Sequence, residues 1–322
     1  MATEAPNAPE IRPSTDPYQL PAALRPGHWL LRTVGRLFDR LFDHPYNPMH
    51  QLGGLLWFFF WTLVVSGAYI YLFYEMTPDG AYRTVKELTE GQRWVGGIMR
   101  SLHRYASGGL MLVTAMHVYH VFFSGRVRRH RWLAWMTGLV VFPLIWFEGT
   151  SGYVMVWDDR GLMAAHEFAK WFDALPLAME PFARNFVPGG TMNQLFFFLL
   201  SYLHLVIPCG LIIILWVHNL RQSRPRVWPY GPLVWAMTVT LLALSVFVPA
   251  VSGPPADLRH LTGAVNIDWL YMSVFPLANA YAISPVLLWS GTAAIFGAMA
   301  TFPWLMPNEA AAVVRPEEGG RE

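Results

Sequence analysis

Residues 52–74 contain no charged side chain, and about 20 apolar residues in a helix cross the hydrocarbon core of a bilayer. Lipid offers no partner to backbone N–H and C=O groups, so such a stretch can span only as a helix or as part of a closed barrel. Five further stretches are long and apolar enough for helices, some with polar interruptions: 95–124, 132–157, 193–219, 231–251 and 283–306. Pro285 and Pro303 bracket the last of them. The expected fold class is therefore an all-α integral membrane protein with six spans. Composition agrees, because only 14% of the 322 residues are charged, whereas soluble domains carry about a quarter. A net charge of +2 is too small to suggest nucleic acid as a partner.

Residues 1–24 are rich in Pro, Ala and polar side chains and lack the charged start and apolar core of a signal peptide. They are read as a flexible tail, as are residues 308–322. In residues 25–50, Trp29, Leu30, Val34, Leu37, Phe38 and Leu41 fall on one helical face and Arg32, Arg36 and Arg40 on another. That pattern predicts an amphipathic helix lying in the membrane interface, followed by a connector.

Arginines set the expected orientation. The loop after the second span carries Arg126, Arg128, Arg129 and Arg131, and the loop after the fourth carries Arg221, Arg224 and Arg226, neither with an acid. Connections on the opposite side mix Asp and Glu with their cations. The basic loops and both termini are thus expected on the cytoplasmic side, as in the inner membrane of a prokaryote. The long outer connections, 158–192 and 253–282, are where a working surface is expected.

The second span contains His103 and His117, and the fourth contains His204 and His218. Both pairs are separated by 14 residues, about 21 Å of helical rise, and 14 steps of about 100° return to within about 40° of the same face. Each helix therefore presents one histidine near the outer side and one near the inner side. If the two faces meet, two bis-histidine sites form, stacked across the membrane, each able to hold a haem iron. Histidines inside spans can also be isolated polar residues at helix contacts, but they are costly and usually functional, and identical spacing on two spans favours ligation. Cys209 is the only cysteine, which leaves no CxxCH attachment or iron–sulfur ligand set. Gly53 and Gly67 on the first span, and Gly138 and Gly152 on the third, are also 14 apart. Glycine admits a flat ligand close to the backbone, although small residues also serve plain helix packing.

At these residues the chain resembles the cytochrome b of bc-type complexes, and more closely its photosynthetic bf-type relative. Residues 100–125 (RSLHRYASGGLMLVTAMHVYHVFFSG) resemble the family's second helix, with RS-x-HR followed 14 residues later by HV. SGYVMVWDDRG (151–161) is similar to the GY-x-x-PW segment, HLVIPCGLIIILWVH (204–218) resembles the fourth helix, and LGG (52–54) matches the start of the first. The resemblance covers about 45–305. It implies a four-helix haem-binding domain over 51–225, followed by a C-terminal-type segment with two spans over 226–307. It further implies two non-covalent b haems, the outer bound by His103 and His204 and the inner by His117 and His218. Arg100 matches the arginine that neutralises a haem propionate.

Departures qualify the resemblance. His120 stands where the photosynthetic form has arginine, and Gln51 replaces the cysteine that carries a third haem there. The seventh and eighth helices of longer members have no counterpart. Ile267-Asp268-Trp269-Leu270 stands where the family's outer quinol pocket has Pro-Glu-Trp-Tyr. Asp268 is read either as a quinol proton acceptor or as a helix N-cap. Glu148, inside the third span and one turn before Gly152, is read either as a second acceptor or as a neutral buried carboxyl. His28, His44, His50, His130, His166 and His260 are read as interfacial or loop residues.

The resemblance implies the cytochrome b subunit of a quinol-oxidising complex, drawing on the quinone pool and working with a Rieske-type iron–sulfur protein and a cytochrome c or similar acceptor. A homodimer is one possible assembly. The alternative is a haem-b anchor linking that pool to a peripheral oxidoreductase such as a molybdenum enzyme.

Overall fold

A computed structural model describes residues 20–42, 46–175, 182–186, 192–222, 225–259 and 265–306. Residues 1–19 of the first tail, the 308–322 tail, His44 and His260 lie outside the described residues. The described α-helices are α1 (Arg25–Leu41), α2 (Leu52–Tyr71), α3 (Pro78–Glu90), α4 (Gly96–Phe123), α5 (Trp132–Val156), α6 (Asp159–Asp173), α7 (Gln194–Leu220), α8 (Gly231–Phe247), α9 (Val274–Ala280) and α10 (Pro285–Leu305). Only an isolated bridge, Asp158 with Pro255, has β character among the described residues. The protein is an all-helical integral membrane protein.

Helices α2, α4, α5, α7 and α10 are long and apolar enough to cross a membrane. The remaining expected span, α8, has 17 residues, about 25 Å of helix and the lower limit for a crossing. It ends early because Pro249 follows at once, and a residue before proline is pushed out of the helical region.

Polar caps start α3, α6 and α7. Thr77 caps α3 through the Gly80 N–H at 2.9 Å, and Asp158 caps α6 through Gly161 N–H at 2.9 Å. Asn193 caps α7 through Phe196 N–H at 3.1 Å, satisfying donors that a helix start leaves unpaired. Pro143 and Pro208 lie inside α5 and α7, where neighbouring helices tolerate the lost bond.

Helix α2 packs along α4, α5 along α7, and α4 bridges the two pairs while also meeting α8. Leu55, Phe59, Ala106, Leu110, Met111 and Leu211 fill the shared interior. At Gly109 a methyl group would meet the Phe59 ring at 2.5 Å, so this glycine sets the close approach of α2 to α4. One end of the bundle carries α3, α6 and α9, and the other carries the arginine-rich loops and α1. On α1, Trp29, Leu37 and Leu41 are exposed. It lies against the end of α4, where His28 Nδ1 is 3.1 Å from Phe123 O and Tyr119 donates to Gly27 O at 3.3 Å.

Candidate functional site

The bundle brings together the outer pair expected from sequence. The His103 and His204 rings face each other with centroids 6.4 Å apart and planes inclined by 51°. Two imidazole–metal bonds of about 2 Å each, plus the two ring radii, come to roughly 6 Å. His117 and His218 each lie 14 residues further along the same two helices.

Hydroxyls on the flanking helices decide which ring nitrogen is free. Ser66 Oγ donates to Thr62 O at 2.6 Å and stands 3.1 Å from His103 Nδ1. Its single proton is committed to the carbonyl, so it can only accept from the ring. Leu63 O, 3.2 Å from the same nitrogen, also requires a donor there. Ser151 repeats the arrangement, donating to Glu148 O at 2.9 Å and accepting from His204 Nδ1 at 2.8 Å. Thr137 does so again, donating to Leu133 O at 2.9 Å and accepting from His218 Nδ1 at 3.0 Å. In all three rings the proton is therefore on Nδ1 and the lone pair on Nε2, the form a metal ligand needs.

Three expected glycines lie beside these rings. A methyl group on Gly67 would meet His103 Cε1 at 2.9 Å, one on Gly138 would meet His218 Cε1 at 3.4 Å, and one on Gly152 would meet His204 Cε1 at 3.5 Å. Gly53 differs, its nearest neighbour being Arg226 O at 3.7 Å. Sequence reading missed the hydroxyls. The available signal was that Ser66, Thr137 and Ser151 each directly precede a ring-facing glycine, whereas Leu52 precedes Gly53.

Among the described residues no group of three or more His, Cys, Asp or Glu is arranged to hold a bare metal ion. Paired imidazoles with free Nε2 and glycine-backed gaps fit an iron that brings its own four equatorial nitrogens, as haem iron does.

The end bearing α3, α6 and α9 holds the remaining site residues. Arg100 is buried and donates to Thr89 and to Ser252 Oγ at 2.8 Å. Asp268 Oδ1 accepts the N–H groups of Leu270 at 2.8 Å and Tyr271 at 2.9 Å. Its Oδ2 accepts the Tyr153 hydroxyl at 2.9 Å and pairs with Arg104. Asp268 therefore closes the turn that precedes α9, whose own N-cap is Ser273, and it adds an ion pair that sequence did not suggest. Glu148 points at the outer pair: Oε2 is 3.1 Å from His204 Nδ1, and Oε1 is buried without a hydrogen-bond partner. Nearby, Trp146, Phe168, Trp171 and Phe275 form an aromatic cluster joining α5, α6 and α9. Of the other histidines, His50 pairs with Asp39 at 3.2 Å.

Comparison with known proteins bears directly on this arrangement. The family model described as Cytochrome b/b6/petB matches residues 38–223, which include all four histidines and all four glycines. The chain belongs to the cytochrome b family. Cytochrome b6 of Heliobacterium mobile is 27% identical over 158 residues, 47% of this chain and 74% of that protein. Cytochrome b6 of Porphyra purpurea is 27% identical over 148 residues, 46% of this chain and 68% of that protein. Among solved structures, a chain of a hyperthermophilic respiratory Complex III matches with a TM-score of 0.63 at 15% identity. That match covers 86% of this chain and 82% of the other, a larger share than the 38–223 stretch of the family match.

Proposed function

We propose that this cytochrome b is the di-haem subunit of a membrane quinol-oxidising complex. The observation that carries the reading is the facing His103–His204 pair, in which both Nδ1 protons are held by flanking hydroxyls. His103 and His204 would hold the outer b haem, and His117 and His218 the inner. When bound, the haems supply one-electron redox chemistry at two levels of the bilayer.

The chain's own residues do the rest. Ser66, Ser151 and Thr137 fix the imidazole tautomers and ring orientations. Gly67, Gly138 and Gly152 open the gaps beside the rings, and Gly53 is assigned to the inner level. Arg100, one turn before His103, supplies positive charge for a propionate. Quinol is oxidised at the outer end, beside the aromatic cluster of α5, α6 and α9, which also limits water there. Its protons go to Glu148 and Asp268. Asp268 is engaged by four donors, whereas Glu148 offers an unengaged Oε1. A Rieske-type iron–sulfur protein and a cytochrome c or similar acceptor would take the other electron.

Purified protein is expected to hold about two b haems per chain, both extracted by acid acetone because no thioether tethers them. Pyridine haemochrome analysis checks this, and one haem per intact chain overturns the four-ligand reading. The proposed orientation places the arginine loops in the cytoplasm. Reporter fusions at Arg129 are expected to be active on the cytoplasmic side and fusions at Asp173 on the opposite side. Inverted activities exchange the inner and outer assignments.

A further inference from the structure

Resting on the di-haem reading, we propose that Asp158 is a positioning residue for the outer haem, acting on Arg100 through the connection that follows α8. Residues 248–256 form a strap bonded to α3, α4 and the corner between α5 and α6. Tyr105 donates to Val248 O, Ser101 Oγ accepts the Ala250 N–H at 3.0 Å, and Tyr82 donates to Gly253 O at 3.0 Å. Ser252 Oγ accepts from Arg100 at 2.8 Å. Arg100 is buried and, among the described residues, donates only to the neutral oxygens of Ser252 and Thr89. A buried charge without an ionic partner is costly, so this one is left for an anion such as a propionate.

The α5–α6 corner fixes the strap. Trp157 takes a left-handed backbone, φ 55°, which only glycine adopts freely, and its carbonyl accepts the Ala256 N–H at 3.1 Å. Asp158 divides its two oxygens. Its Oδ1 caps α6 at Gly161, while Oδ2 accepts the Gly253 N–H at 2.9 Å and pairs with Arg160 at 3.2 Å. Arg160 in turn donates to Val251 O at 2.9 Å. Ser252 lies between the two residues so held, and the hydroxyl that anchors Arg100 is thereby positioned by Asp158. A cavity of about 330 Å³ lies between α3 and the strap, with Lys86 and Glu90 in its wall. Freed from Ser252, Arg100 keeps Thr89 on α3 and moves towards Glu90, so its charge is withdrawn from the propionate assigned to it. Loss of a nearby positive charge favours ferric over ferrous haem.

The test is equilibrium redox titration of the purified full-length protein, with amide hydrogen exchange read over 248–256. Asp158→Asn is selective, because asparagine caps a helix as well as aspartate does. Its amide nitrogen, however, only donates, and it would face two donors, Gly253 N–H and Arg160. At a fixed ambient potential the ferrous-to-ferric ratio of the outer haem is expected to fall about tenfold, which is about 59 mV for a one-electron couple. The inner haem is expected to stay where it is, and exchange over 248–256 to quicken. Ser252→Ala cuts only the last link and is expected to give the same fall without quicker exchange. The double variant is expected to fall no further than either single one. An outer ratio that does not fall in either variant, exchange unchanged in Asp158→Asn, or falls that add in the double variant each overturn the proposal and leave the di-haem reading intact. A wild-type protein without a His204-dependent haem overturns both. If Asp158→Asn does not fold or sheds the outer haem, Arg160→Gln replaces it, loosening Val251 instead of Gly253, and no fall there overturns the proposal.

Discussion

Replacing His117 with leucine is expected to leave a folded protein that has lost one b haem of about two and keeps the other with its α-band unshifted. The two ligand levels are separated by 14 residues, about 21 Å along a helix. That distance exceeds the reach of any one side chain, so removing one ligand has no direct contact with the other site. His103 and His204 would keep their partners, because Ser66, Leu63, Ser151 and Glu148 all belong to the outer level. The inner level is also the less supported one, since hydroxyl bonding is present for His218 but the residue before Gly53 is Leu52. Haem-to-protein stoichiometry and reduced-minus-oxidised spectra check the result. Loss of both haems, or of neither, would count against two independent bis-histidine sites.

Combining Glu148→Gln with Asp268→Asn is expected to slow reduction of the outer haem by a quinol analogue about 10²–10⁴-fold, the usual contribution of a general base. Equilibrium redox titration of the same variant separates a changed driving force from the missing proton acceptor, because only the second slows reduction at an unchanged potential. Asp268 adds a structural effect that must be separated from the kinetic one. Its side chain is 8% exposed and pairs with Arg104, which is 36% exposed. Breaking a fully buried pair costs about 3–5 kcal/mol, and the wetter arginine reduces this to roughly 2 kcal/mol. Thermal unfolding of Asp268→Asn is expected to show that loss, and adding Arg104→Gln to recover part of it by removing the unpaired charge. If the Glu148→Gln, Asp268→Asn protein is reduced at the normal rate, quinol is oxidised elsewhere and the anchor reading takes over.

Much of this protein was determined by its sequence alone, because a bilayer leaves a helix few choices. Uncharged stretches of about 20 residues must satisfy their backbone internally, so the spans follow from composition; only α8, stopped by Pro249, falls at the limit. The spacing of 14 between histidines and between glycines is likewise a property of the helix itself, whatever surrounds it. What each ligand touches depends instead on how helices rotate and slide against one another, which side-chain packing sets and spacing does not. Only the tertiary structure put Ser66, Thr137 and Ser151 on the Nδ1 atoms of rings 37, 81 and 53 residues away. It likewise brought Arg104 of α4 onto Asp268, 164 residues later in the chain. Glu148 could be recognised from sequence as an intramembrane carboxyl, but its contact with His204 required α5 and α7 to pack with those faces together. A span declares itself by its solvent, whereas a hydrogen bond between spans exists only once two surfaces have met.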